Sequence, residues 1–214
     1  MKIRRHPLGC LLVAGSVVAA GCSGSSNRVP LPSFNPEASA AQAMELHDAD
    51  GDGFLAGPEL DGAPGLKAAM KNLDADGDGK VSSDDIADRI RAWEDQQIGL
   101  MSISCELYMD GQPLSGATVT FEPEEFLGDS IKVAIGETGL AGTFRPKVPK
   151  SERPSPDSPP GVQAGLYRVR VSKMRGGSES IPARYNTETT LGQQVSKDDH
   201  LIMNKLVRFE LKSR

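Results

Sequence analysis

Two stretches of equal length and layout dominate this chain: residues 48–59, DADGDGFLAGPE, and residues 74–85, DADGDGKVSSDD. Each has aspartate at its first, third and fifth positions, glycine at the sixth and an acid at the twelfth. Short carboxylates at alternate loop positions can turn toward one point, and a hard divalent cation needs about six to eight oxygens around it. The acids are Asp48, Asp50, Asp52 and Glu59 in the first stretch and Asp74, Asp76, Asp78 and Asp85 in the second. Gly53 and Gly79 stand where the chain has to turn sharply, a place for a residue that reaches positive φ without strain. Leu55 and Val81 supply an apolar residue at the eighth position of both. One such run reads equally well as a solvated acidic turn. Two in register, with matching eighth and twelfth positions, make a pair of cation-binding loops the stronger reading.

This pattern resembles the EF-hand calcium loop, over residues 37–97. The resemblance implies Ca²⁺ held in the first loop by Asp48, Asp50, Asp52, the Phe54 carbonyl and a bidentate Glu59. In the second it implies Asp74, Asp76, Asp78, the Lys80 carbonyl, Ser82 through water, and Asp85. Two features depart from the usual pair. The loops start 26 residues apart, leaving 14 residues (60–73) for the helix out of one and into the next, so a compressed lobe is expected. Asp85 is one methylene shorter than Glu, so the second site is expected to hold its ion less tightly. Helices are expected over residues 38–47, over 64–73 with Leu66, Ala69, Met70 and Leu73 on one face, and after the second loop, where Ile86, Ile90 and Trp93 recur at helical spacing. His47 is expected to be a solvent-exposed residue at a helix end, and Trp93 to be core.

The N-terminus reads as a leader. Lys2, Arg4, Arg5 and His6 precede a short apolar run, residues 8–20, too short to span a bilayer. It ends in Ala19, Ala20, Gly21 and Cys22, which resembles the bacterial lipobox, with Ala19 where leucine is usual. The resemblance implies removal of residues 1–21 and lipidation of Cys22; the alternative is an ordinary cleavage site beside an incidental cysteine. Residues 22–36, rich in Ser and Pro, are expected to be a linker. Cys10 leaves with the leader, so Cys105 has no disulfide partner. It alternates with Ser104 and Glu106 on the same side as Ile103 and Leu107, which makes it a core thiol rather than a nucleophile.

Charge is unevenly spread. Residues 37–97 hold 15 acids and 5 bases, net −10, whereas residues 98–214 hold 14 acids and 15 bases, net +1. Such an acidic half repels itself until cations neutralise it, and nucleic acid is excluded as its partner.

From Leu100 the hydrophobic period changes to two. Residues 101–109 alternate up to a hairpin signal at Asp110 and Gly111; residues 117–121 alternate again; Ile131, Val133 and Ile135 share a face; Tyr167, Val169 and Val171 share another; Val207, Phe209 and Leu211 close the chain. Residues 146–161 contain six prolines and are expected to form a surface loop. Short strands with frequent turns argue for an antiparallel β-sandwich. The runs DGQPLSGATVTFEPE, GETGLAGTF, GLYRVRVSK and IPARYNTETTL resemble the carboxypeptidase-regulatory-like, transthyretin-like domain. Together with the lipobox, they are similar to a group of small lipoproteins of planctomycete type. The fold class expected is therefore α+β and multidomain: leader 1–21, linker 22–36, a compact helical EF-hand pair 37–98, and an antiparallel transthyretin-like β-sandwich 99–214.

The resemblance implies a structural or interaction module without catalysis. Transthyretin-like folds that hydrolyse ureide rings end in Tyr-Arg-Gly-Ser, whereas this chain ends FELKSR and has only His200 in its second half. A dockerin-like, calcium-dependent assembly module is the second reading, although the sequences after Glu59 and Asp85 do not repeat one another. Residues 185–191 read either as a binding loop or as a turn into an edge strand. The expected protein is thus calcium-binding and lipid-anchored in the cell envelope, with an envelope protein or glycan as partner. Stable attachment takes two or more acyl chains, and without Lys2, Arg4 and Arg5 the chain has 21 bases against 29 acids, which anionic lipids repel. Cys22→Ala is expected to be recovered either as uncleaved precursor or in the soluble envelope fraction, and Cys105→Ala to leave localisation unchanged; recovery of processed Cys22→Ala in high-salt-washed membranes would refute lipidation.

Overall fold

The structure, a computed structural model, describes residues 29–205 and 207–214; the leader, Cys22 and residues 23–28 of the linker lie outside the described residues. Helix α1 (Pro36–His47) begins where the Asn35 side chain accepts from the Ala38 amide and Pro36 presets the first turn. It leads to strand β1 (Phe54–Ala56), a short 3₁₀ turn (Gly57–Gly62), helix α2 (Pro64–Leu73), strand β2 (Lys80–Ser82) and helix α3 (Ser83–Asp95). Buried Ala40 and Ala43 let α1 pack closely on α3, whose Ile86, Ile90 and Trp93 are buried as their spacing requires. Leu66, Ala69 and Leu73 form the buried stripe of α2.

Beyond Asp95 the chain is built from strands. β3 (Cys105–Met109) turns through Asp110 and Gly111, both at positive φ, into β4 (Gln112–Pro113). There follow β5 (Thr118–Pro123), β6 (Ala134–Glu137), β7 (Thr143–Phe144), β8 (Gly165–Ser172), the β9 (Met174–Arg175) and β10 (Ser178–Glu179) hairpin, and β11 (Gly192–Val195). Helix α4 (His200–Met203) and β12 (Val207–Leu211) complete the chain. One sheet has the order β11-β8-β5-β6; a second is β12-β3-β4, with β7 also on β3. Phe121 of β5 links the two sheets, its ring 6.1 Å from Phe209 and 6.4 Å from Phe144. Cys105 is buried between them, and desolvation pushes its thiol up to about 12.

The molecule is therefore mixed α and β, with sheets that are mainly antiparallel. It departs from the sequence reading at five places. β12 pairs with β3 in parallel, Val207 opposite Cys105 through Leu211 opposite Met109, so the strands are not antiparallel throughout. Parallel neighbours need a long crossover, and most of the β portion lies between these two. The strand expected from Met101 starts at Cys105; Met101 makes only an isolated pairing with Val162. Ile135 faces outward, 40% exposed, because Gly136 takes the inward position against the Phe144 ring, where a Cβ would come within 2.8 Å. His47 is half-buried, edge-on to Phe126 at 6.3 Å, rather than exposed. Part of the expected linker packs on the body: Phe34 lies 5.9 Å from Trp93, and the Ser33 carbonyl accepts from Ser130.

The helical and β portions share a continuous set of buried side chains. Helix α2 lies across β8 and β11. Gly192 makes this possible, since a Cβ there would fall 1.7 Å from the Pro64 carbonyl oxygen. Nearby, Arg89 of α3, 7% exposed, donates to Gln194 and in bidentate fashion to Asp198, at 2.7 and 2.8 Å. Those hydrogen bonds hold the Asp198 carboxyl far below the usual carboxylate range. Its contribution is complete above the unfolded value of about 4 and is lost as pH falls below that toward the folded one. Asp198 is half-exposed, which moderates the cost of stranding Arg89. Asp198→Asn is expected to destabilise the fold by about 1–2 kcal/mol at neutral pH, with the gap to wild type narrowing below about pH 4; urea unfolding at both pH values measures it.

Candidate metal centre

Each acidic loop starts at the end of a helix, passes through a short strand and closes in the first turn of the helix that follows. In the first, one carboxylate oxygen from each of Asp48, Asp50 and Asp52 lies within 4.8 Å of the others, and Asp74, Asp76 and Asp78 do the same in the second. The backbone achieves this with the same device twice. Gly51 and Gly53 have φ of 73° and 84°, and Gly77 and Gly79 have 76° and 82°. Space is free around all four, so it is the left-handed backbone that calls for glycine.

Amide groups then pin the carboxylates. Asp48 accepts from Gly51 at 2.7 Å and Gly53 at 3.1 Å, and its counterpart Asp74 accepts from Gly77 at 2.6 Å and Gly79 at 2.9 Å. Asp50 accepts from the Asp52 amide, Asp52 from Phe54, and Asp78 from Lys80. The amide of Gly79 chiefly, helped by Gly77 and Asp78, holds Asp74 below its ordinary carboxylate value. The first residues of β1 and β2, Phe54 and Lys80, stand at the seventh loop positions. Beside them, Leu55 and Val81 pair in an antiparallel ladder and are both fully buried, which ties the two loops together.

The twelfth positions differ. Glu59 reaches back over its own loop, with one oxygen on the Ala49 amide at 2.8 Å and the other on Ala56 at 3.0 Å. Those amides, Ala56 first, keep its carboxyl low and ionised. Asp85 instead caps α3: one oxygen takes the Ser82 amide at 2.8 Å and hydroxyl at 2.6 Å, while Ser82 accepts from the Asp85 amide. Ser82, expected near the ninth position, is occupied as that cap.

Sequence reasoning considered Lys80 only for its carbonyl. Its ammonium crosses to the other loop, 3.3 Å from Asp52 and 4.9 Å from the Phe54 ring centre. The signal was the paired eighth positions, which set the seventh residue of one loop beside the strand of the other. A cation on Asp52 competes with any metal for that carboxylate. The donor sets contain oxygen alone, which suits a hard cation and not a soft one. Lys80→Gln is expected to tighten metal binding by the first loop several-fold at low ionic strength and less at high salt, read by calorimetry.

Compared with protein-family models, with curated proteins and with solved structures, the chain finds no match in any of the three. What stands is the geometry: two aspartate clusters, built alike and joined back to back, each able to hold a metal ion.

Proposed function

We propose that this chain is a calcium-binding protein of the cell envelope, tethered through a lipidated Cys22, whose helical half is an EF-hand pair and whose β half is a transthyretin-like sandwich serving as a non-catalytic interaction module. The observation that carries the calcium reading is the duplicated loop: three converging aspartates, glycines at matching positive φ, and the buried contact of Leu55 with Val81. Residues 37–97 have a net charge of −10 from 15 acids and 5 bases, a repulsion that bound divalent cations relieve. The aromatic contact of Phe121 with Phe209 between the two sheets supports the sandwich.

Calcium is favoured over magnesium because Ca²⁺ accepts irregular shells of carboxylates and carbonyls, whereas Mg²⁺ demands a tight octahedron and keeps its waters. The first loop, with Glu59 folded over it, would supply the fuller shell. The second would need Asp85 to turn from the α3 cap toward the ion.

Calorimetric titration is expected to find two Ca²⁺ sites, the first tighter, with dissociation constants near 10⁻⁴–10⁻³ M as in extracellular modules of this kind. Asp85→Glu should strengthen the second site, because the longer side chain can cap the helix or chelate with both oxygens. Absence of binding at millimolar calcium would overturn the assignment.

A further inference from the structure

Past β7 the chain runs extended beside β6. Ile135 and Lys147 exchange backbone hydrogen bonds of 2.9 and 3.0 Å, with Phe144, Pro146 and Val148 buried. The alternate residues, Arg145 and Lys147, are exposed, at positions about 7 Å apart along the extended backbone. Lys150 opens a 3₁₀ turn (Lys150–Glu152), and Arg153 follows it. These four cations, with Thr118 and Glu137, line an open cleft of about 600 Å³. A second depression of about 200 Å³ is lined by Arg145 and Lys147 again, so the two form one track over the same pair of cations.

None of the four forms an ion pair among the described residues; some other cations, Lys71 and Arg175 among them, share that, but these four gather in one cleft. Arg153 is held in place by donating to the Val148 carbonyl at 3.1 Å and the Ser158 carbonyl at 3.3 Å. Unpaired, partly fixed cations gathered in one concavity focus an attractive field on anions.

We infer that this cleft binds a glycan bearing carboxylate or sulfate groups. The continuous track calls for an extended ligand. Glu137 would repel a uniform polyanion but can accept hydrogen bonds from hydroxyls, which a glycan supplies. No aromatic ring lines either depression, so nucleobases find no stacking platform. The β6 edge at Ile135 is already taken by Lys147, so an extended peptide cannot add there as a strand. The inference rests on the reading of the β half as an interaction module, names the class of its partner, and is independent of the calcium loops.

The test is affinity electrophoresis of the full chain in gels containing chondroitin sulfate, neutral dextran or poly-L-glutamate. Wild type should be retarded by chondroitin sulfate alone, with retention falling steeply as salt rises. Arg145→Glu with Lys147→Glu should weaken that retention by about tenfold or more, while Lys71→Glu with Lys197→Glu, equal in charge but outside the cleft, should leave it within about twofold of wild type. Circular dichroism and a cooperative urea transition like that of wild type check that the double variant is folded; if it is not, Arg145→Gln and Lys147→Gln decide, each expected to weaken retention several-fold. No retention of wild type, retention that the cleft variants leave unchanged, or equal retention by poly-L-glutamate would overturn the inference. A chain that binds calcium but not chondroitin sulfate loses only this inference, and the converse result loses only the calcium reading.

Discussion

Glu124 is buried just beyond β5, with one oxygen on the Gly65 amide at 2.7 Å and the other on the Arg168 guanidinium at 2.9 Å. Arg168 in turn donates to the Gly62 carbonyl. A single carboxylate thus satisfies the N-terminus of α2, where anions are favoured, and anchors a sheet cation whose other end holds the turn leaving the first loop. Burial pushes Glu124 up against the pull of Arg168 and Gly65, a cost tolerated because leaving any of the three groups unpaired would cost more. With Gly192 pressed to the Pro64 carbonyl, this contact sets how the helical part lies on the β part.

Both acidic loops lead into elements that touch the β portion. The first is followed by Gly62 and α2, both in contact with the sheet, and the second by α3, whose Arg89 reaches Asp198 and whose C-terminal cap, Gln96, reaches Ser196. Charge is also separated in space: aspartates converge in the helical half, while free cations collect in the cleft beside β6.

The two halves differ in how far they could be read in advance. The loops were legible because their determinants are contiguous: alternate aspartates and glycines at fixed offsets act within a dozen residues, so Asp48 and Asp74 meet their own neighbours wherever the chain folds. Strand alternation is equally local, and it marked Ile103, Cys105 and Leu107 as inward-facing. It misled at Ile135 because the apolar count favours isoleucine over glycine, and only the Phe144 ring opposite decides otherwise. His47 misled for the same kind of reason, since Phe126 lies far along the chain.

The sequence by itself determined the loop geometry, the helices around the loops and the alternating strands, because each depends on interactions within a few residues. Tertiary structure alone decided that β12 runs parallel to β3, that Arg89 meets Asp198, that Lys80 covers Asp52, and that Arg145, Lys147, Lys150 and Arg153 share a cleft with Glu137 and Thr118. Those outcomes depend on which distant surfaces bury the most apolar area without stranding a polar group, a choice made by the whole chain at once and encoded in no single segment.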